Sequence, residues 1–313
     1  MNSSVNNSTI TEVATGKPMS KFKALLSLTR WREHVPYTIP CVVGGAMMAI
    51  HQTNGMPDLR LVAVVFANIL AQSFAFMIND VADAPDDALN PKKKARNVIS
   101  NGTLTPREGM MWTWGTFFVA LALFAIGGLW VAGLGLLQLV LCYLYSAYPF
   151  RWKARLITDV LSHALMLSAL LVMTGFFIYS SVPNQAWFMF ACAFFFSAYG
   201  QFFNQLDDYD VDKAAGLRNT VVVLGKNGTK TLMYVCAIIA VICACGAILA
   251  SVFPNWLASI ALIAIFSCAL FVWETDMRGN QAEGSGVIQK PGLLMLNIVM
   301  LTWLVQTLGL LQF

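Results

Sequence analysis

The sequence predicts an all-α membrane protein: nine spanning helices, two repeated acidic motifs at the cytoplasmic helix ends, and the N-terminus inside. Three observations carry this. Of 313 residues, 58% are hydrophobic and only 12% charged, whereas an ordinary soluble domain is about 25% charged. The apolar residues fall in nine segments near the roughly 20-residue length that a bilayer-crossing helix needs. The charges are gathered between those segments on one side. A soluble enzyme is excluded, because its core could not hide this much apolar surface, and no nucleic-acid partner is expected.

The segments run over about 35–50, 59–78, 110–131, 132–148, 157–180, 186–204, 231–253, 255–273 and 292–312. Turn-forming residues separate three of the pairs: Gly133-Leu134-Gly135 between the third and fourth, Pro183-Asn184 between the fifth and sixth, and Pro254-Asn255 between the seventh and eighth. Residues 1–20 are polar and rich in Ser, Asn and Thr, with no apolar run of the kind a cleavable signal requires. They are expected to form a disordered cytoplasmic tail. Residues 21–313 then form one transmembrane domain, with pseudo-repeat halves at about 35–150 and 157–273 and a final helix at 292–312.

Orientation follows from the basic residues, which are retained on the cytoplasmic side of a membrane. Of the 20 Lys and Arg, 19 lie in the N-terminal tail or after the second, fourth, sixth and eighth segments, and only Arg60 lies opposite. The N-terminus is therefore predicted inside and the C-terminus outside, in a bacterial inner membrane. All of the 16 acidic residues except Asp58 share the cytoplasmic side, which retention of positive charge does not explain. The seven cysteines, Cys41, Cys142, Cys192, Cys236, Cys243, Cys245 and Cys268, all sit in apolar stretches without metal-ligand spacing and read as reduced, buried small hydrophobes. His34, His51 and His163 are scattered and are assigned no metal or base role.

The acidic residues are patterned. Asn79, Asp83 and Asp87 follow the second segment and Asn204, Asp208 and Asp212 follow the sixth, both as N-x-x-x-D-x-x-x-D, offset by 125 residues. Side chains four apart share a helix face, so each triplet can converge while the chain is helical, although Pro85 is expected to loosen the last turn of the first copy. Arg96-Asn97 follows the first copy and Arg218-Asn219 the second. Two such clusters facing each other could not all stay ionised without cations, and oxygen-only ligands suit Mg²⁺ completed by substrate phosphate. Solvated acids at helix ends are the plain alternative, weakened by the second copy in register. A cation-coupled transporter also uses repeats and intramembrane acids, but near the midplane rather than at helix ends. Lys92, Lys93, Lys94 and Arg96, then Arg151, Lys153 and Arg155, then Lys213 and Arg218 supply positive charge beside these acids. Arg96, Lys153 and Arg218 are preferred as phosphate-binding residues, while any one of the others reads equally as a charge for lipid headgroups.

The runs NDVADAPDD, RNVISNGTLT, YSAYPFRWK and DDYDVDKAAGLRNT together resemble the UbiA superfamily of intramembrane prenyltransferases, from the first segment to the last. The resemblance implies nine helices around a cavity, with Asn79, Asp83, Asp87, Asp208 and Asp212 holding an isoprenyl diphosphate through Mg²⁺ and Asn204 completing the second motif. Asp80 belongs to the first motif but points about 100° away from its neighbour on a helix. It is expected in a supporting position. By the same resemblance Tyr145 and Ser146 line the cavity beside the carbon that bears the diphosphate, and Lys153 touches the phosphates. Tyr143 and Tyr148 fit an interfacial aromatic belt as well. Two departures stand out. Gln205 replaces an Asp found in many members, and the entry of the first segment, Arg30-Trp31-Arg32-Glu33-His34, lacks an Arg-Pro pair. Asp159 reads as a helix-start acid.

The implied chemistry is Mg²⁺-dependent ionisation of an allylic diphosphate, then capture of the prenyl cation by a small aromatic acceptor inside the lipid-embedded cavity, with diphosphate released. Electron-rich rings and exclusion of water would protect the cation. A cyclase of the same superfamily, using the prenyl chain's own double bond, is the alternative. Orientation can be tested apart from catalysis. Cysteines introduced as Ser100→Cys and Asn227→Cys are expected to react with an impermeant thiol reagent only from the cytoplasmic face. Labelling solely from the opposite face contradicts the assignment.

Overall fold

The structure is a computed structural model that describes residues 19–214, 216–271 and 285–311. The tail expected over residues 1–20 therefore lies outside the described residues except for Met19 and Ser20, as do the C-terminal residue and the side chain of Cys268. Among the described residues the chain is helical, with a single isolated bridge between Arg155 and Arg218.

The chain opens with α1 (Lys21–Thr29), a short helix the hydropathy pattern did not reveal, capped by the Ser20 hydroxyl on the Lys23 amide. Arg30 adopts a left-handed conformation and turns the chain into α2 (Trp31–Thr53). Asp58 caps α3 (Leu59–Asp87), which has 29 residues. At 1.5 Å per residue α3 is about 43 Å long, while the hydrocarbon core of a bilayer is about 30 Å. The apolar stretch before Asp80 is by itself long enough to cross such a core, which leaves Asp80 to Asp87 as two further turns of the helix. The helix continues unbroken through Pro85, so Asn79, Asp83 and Asp87 do lie on one helical face.

A short α4 (Pro91–Arg96) and a capping box at Thr105 and Glu108 lead into α5 (Pro106–Ile126), and α6 follows (Leu129–Ser146). The break between these two helices was expected at Gly133-Leu134-Gly135 and instead falls at Gly127-Gly128. Gly128 has φ +107°, open only to glycine, whereas Gly135 stays helical and admits the Phe124 ring against its backbone. The fifth apolar segment folds as α7 (Thr158–Ala164) and α8 (Leu170–Phe176), joined by a π-helical turn at Leu165–Ala169. The Met166 carbonyl in that turn accepts the Gln72 amide of α3 at 2.8 Å. The rest comprises α9 (Trp187–Asp207), α10 (Tyr209–Ala214), α11 (Thr220–Leu249, bent at Gly225), α12 (Asn255–Phe271) and α13 (Ser285–Thr307).

In their described residues, the nine apolar segments fall mainly on helix. Among the described residues, six helical stretches, Leu59–Asp87, Pro106–Ile126, Leu129–Ser146, Thr158–Phe176, Asn184–Asp207 and Thr220–Leu249, are long and apolar enough to cross a membrane by length and composition. In α2 the apolar run is diluted by Pro36, Tyr37, Pro40, His51 and Gln52. The apolar parts described in α12 and α13 are shorter, at Asn255–Ala264 and Gly292–Thr307.

Small residues let the helices approach closely, as expected where no hydrophobic drive separates helix from lipid. At the crossing of α2 and α8 a Cβ on Gly45 would meet the Val172 carbonyl oxygen at 2.0 Å, and one on Gly175 would meet the Val42 carbonyl oxygen at 2.0 Å. The two backbones touch, and neither can yield without the other. Gly45→Val is expected to destabilise the protein by about 2–3 kcal/mol through overpacking, read as a lower Tm in detergent. Gly115→Ala, on an α5 position with nothing within 4 Å, is expected to leave Tm unchanged; equal effects from both would contradict this packing.

Candidate active site

The first acidic motif projects from the end of α3 and meets the loop that follows α6. Lys153, in a single 3₁₀ turn at Trp152–Ala154, donates to Asn79 Oδ1 at 2.8 Å and to Asp83 Oδ2 at 2.5 Å. Ser146 Oγ, in the last turn of α6, donates to the same Asn79 oxygen at 3.2 Å. Arg151 bridges Asp83 at 3.3 Å and Asp86 at 2.9 Å, and its guanidinium lies over the Tyr148 ring. Burial pulls the Lys153 ammonium below its usual range, against the opposing hold of Asp83.

Asp80 points elsewhere. It is buried, and its nearest cation is Arg30 at 3.6 Å, which also pairs with Glu33 and rests on the Phe76 ring at 4.5 Å. Arg96 is exposed at the end of α4. Asp87 is buried and accepts from Asn97 Nδ2 at 3.0 Å, while Asn97 also donates to the Asp80 carbonyl and caps the Ile99 and Ser100 amides.

The second motif has a parallel construction. Asn204 ends α9 half-buried, Asp208 is exposed, and Asp212 on α10 is half-buried. Asn219 Nδ2 donates to Asp212 at 2.6 Å, while Asn219 Oδ1 caps the Val222 amide at the start of α11. Burial pushes the Asp212 carboxyl up and the Asp208 charge adds to this, opposed by Asn219 and by Lys93 from the first motif's loop. The Tyr145 hydroxyl in α6 accepts from Gln201 Nε2 of α9 at 3.3 Å.

Arg218 is set apart. It is exposed in an open groove of about 540 Å³, beside Arg155, Leu217 and Val223. Lys226 pairs with Asp210 at 2.8 Å. Among the described residues, no three His, Cys, Asp or Glu side chains are close enough together to hold a metal ion. The donors nevertheless fit a hard cation. Asn79 and Asp83 already share one positive group, the Lys153 ammonium, and the Asp208 charge bears on Asp212. All the donors are oxygens, as Mg²⁺ prefers.

Sequence reasoning missed Arg30, Arg151 as the partner of Asp83, and the two asparagines. The signal for the asparagines was visible in the repeated Arg-Asn pair: weight fell on Arg96 and Arg218, whereas Asn97 and Asn219 hold the last carboxylate of each motif. The six cysteines whose side chains are described are free, but of these only Cys142 is buried; Cys41, Cys192, Cys236, Cys243 and Cys245 are half-buried, contrary to the expectation of buried residues. His34 is fully buried against Ser73 and Phe76, and His163 lies against Ser197.

Residues 37–285 match the UbiA prenyltransferase family. The chain is 29% identical over 201 residues to a 4-hydroxybenzoate octaprenyltransferase of Shewanella sediminis, covering 60% of this chain and 63% of that one. It is 27% identical over 215 residues to a lycopene elongase/hydratase of Haloferax volcanii, covering 66% of each. These alignments span just under two thirds of the relatives' lengths. In fold the chain is similar to a UbiA homolog from Archaeoglobus fulgidus bound to GPP and Mg²⁺, with TM-score 0.74, 21% identity, and 91% of this chain and 99% of that one covered. It is also similar to the apo UbiA homolog from Aeropyrum pernix K1, with TM-score 0.65, 18% identity, and coverage of 89% and 98%.

Proposed function

Because the chain belongs to the UbiA prenyltransferase family and is an integral, multi-pass membrane protein, we propose that it transfers a prenyl group from an allylic isoprenyl diphosphate to a small aromatic acceptor within the membrane, releasing diphosphate. The observation that carries this reading is the Lys153 ammonium held between Asn79 and Asp83 at the end of α3, with the Ser146 hydroxyl on the same Asn79 oxygen. We take the site to open to the cytoplasmic side and the remaining apolar helices to complete nine spans.

Asn79, Asp83, Asp87, Asn204, Asp208 and Asp212 would hold Mg²⁺, with Asp80 supporting the first motif from its pairing with Arg30. Bound there, the metal would neutralise the diphosphate as negative charge grows on the leaving oxygen. Lys153 then has two roles. Without substrate it neutralises Asp83, and with substrate it can turn its donors toward a phosphate oxygen. The C–O bond breaks with its electron pair going to diphosphate, the acceptor's ring carbon supplies the pair for the new C–C bond, and that carbon then loses its proton to the released diphosphate, which restores the aromatic ring. Tyr145 and Ser146 mark where the allylic carbon would lie, since Ser146 touches Asn79 and Tyr145 faces Gln201 on α9. The similarity to a UbiA homolog structure with GPP and Mg²⁺, and to a relative named for 4-hydroxybenzoate, supports the donor, the metal and the acceptor class. The relative named lycopene elongase/hydratase favours a second reading, in which the acceptor is a polyene hydrocarbon.

Purified protein given Mg²⁺, diphosphates of increasing length, aromatic acceptors and lycopene is expected to release diphosphate and to yield an adduct whose mass identifies the acceptor. A product with the mass of the prenyl group alone would point to cyclisation. EDTA should abolish turnover and Mg²⁺, but not Ca²⁺, restore it. Asp83→Asn and Asp212→Asn should each remove most activity without loss of fold; full turnover by both would contradict the two-motif site. Arg218→Gln is expected to lower kcat/KM by about 10² if its guanidinium swings over the diphosphate, while Lys226→Gln stays near wild type. Equal effects would strike Arg218 from the site.

A further inference from the structure

Asp159, in the first turn of α7, is fully buried, and no Lys or Arg among the described residues pairs with it. Four neutral donors hold it instead. Oδ1 accepts from the Val160 amide at 2.8 Å and from Thr220 Oγ1 at 2.5 Å, and Oδ2 accepts from the Thr220 amide at 2.7 Å and from Gln205 Nε2 at 2.7 Å. The Thr220 hydroxyl in turn accepts from the Ile157 amide at 2.7 Å. Two residues before each of these, Arg155 and Arg218 pair their backbones in the single parallel bridge. The loop after α6 is thus stitched to the start of α11 over residues 155–159 and 218–220.

Both sides of this seam carry site residues. Lys153 lies two residues before Arg155. Asn219, which holds Asp212, lies between Arg218 and Thr220. Gln205 lies between Asn204 and Asp208, and because a carboxylate only accepts, its amide nitrogen must face Asp159. That leaves Gln205 Oε1 buried and without a protein partner. A buried carboxylate with no cation is costly unless its oxygens are hydrogen-bonded, and here both oxygens are doubly bonded, so Asp159 is enclosed and committed rather than reactive.

Resting on the function proposed above, we propose that Asp159 is a positioning residue: through Thr220 and Gln205 it fixes the second acidic motif against the Lys153 loop, so that both motifs reach one metal-bound diphosphate. It touches neither substrate nor metal.

The test uses the purified full-length protein with Mn²⁺ as the probe, titrated by electron paramagnetic resonance in the presence of inorganic diphosphate. Asp159→Asn keeps the shape but turns one acceptor into a donor facing other donors, and Thr220→Val removes the hydroxyl from both of its bonds. Each is expected to weaken Mn²⁺ binding by about tenfold or more, the usual effect of losing an outer partner of a metal site. In turnover assays the Mg²⁺ needed for half-maximal rate should rise by a similar factor, with kcat at saturating Mg²⁺ largely kept. Thr220→Ser, which retains the hydroxyl, should restore the affinity that Thr220→Val loses. Should Asp159→Asn not fold, the Thr220 pair decides alone. Variants that bind Mn²⁺ like wild type while only their Tm falls would overturn the positioning role. No Mn²⁺ binding by wild type would overturn the diphosphate site itself, and this role with it.

Discussion

A carboxylate at the edge of a bilayer must be matched by positive charge or by hydrogen bonds, because little water is there to do the work. The arrangement around α3 answers that constraint. Asp83 is matched by Lys153 and Arg151, Asp80 by Arg30, and Asp87 by the Asn97 amide. Each partner comes from a different segment, namely the loop after α6, the turn between α1 and α2, and the loop after α4. Satisfying one helix end therefore draws three loops to the same end of the bundle. The Lys153 contact matters most, because it is one that an incoming phosphate and metal could take over without leaving a bare charge.

The duplication supports this view at the level of single atoms. Asn97 and Asn219 each use the side-chain oxygen to cap backbone amides and the side-chain nitrogen to hold the last carboxylate of a motif. Such an asparagine fixes a carboxylate's orientation without cancelling its charge, which a Lys or Arg would do. The halves differ where the second is cut short: Asn219 begins a long helix, whereas Asn97 closes a turn.

Apolar segment length and the basic bias made the helices legible, and the period-four acids made the motif face legible. The position of the α5 to α6 turn was not, because Gly127-Gly128 and Gly133-Leu134-Gly135 are equally glycine-rich and only the ring of Phe124 decides which pair stays helical. Arg30 was unreadable for a similar reason. Its value lies in a left-handed turn and in contacts to Asp80 and Phe76, some 50 residues away in sequence. Asp159 looked like a helix-start acid and is one, through Val160, yet three of its four bonds go to residues 46 and 61 positions away. Spacing along a helix reports which side chains share a face. It does not report which loop will meet that face.

The central claim is that both acidic motifs serve one diphosphate. Crystals grown with Mn²⁺ and a non-cleavable prenyl thiolodiphosphate test it directly through the anomalous signal of the metal. The account predicts manganese on the oxygens of Asn79, Asp83 and Asp87 and of Asn204, Asp208 and Asp212, with the diphosphate between them and Lys153 turned onto a phosphate oxygen. Manganese at only one motif, or a diphosphate bound away from Lys153, would contradict it.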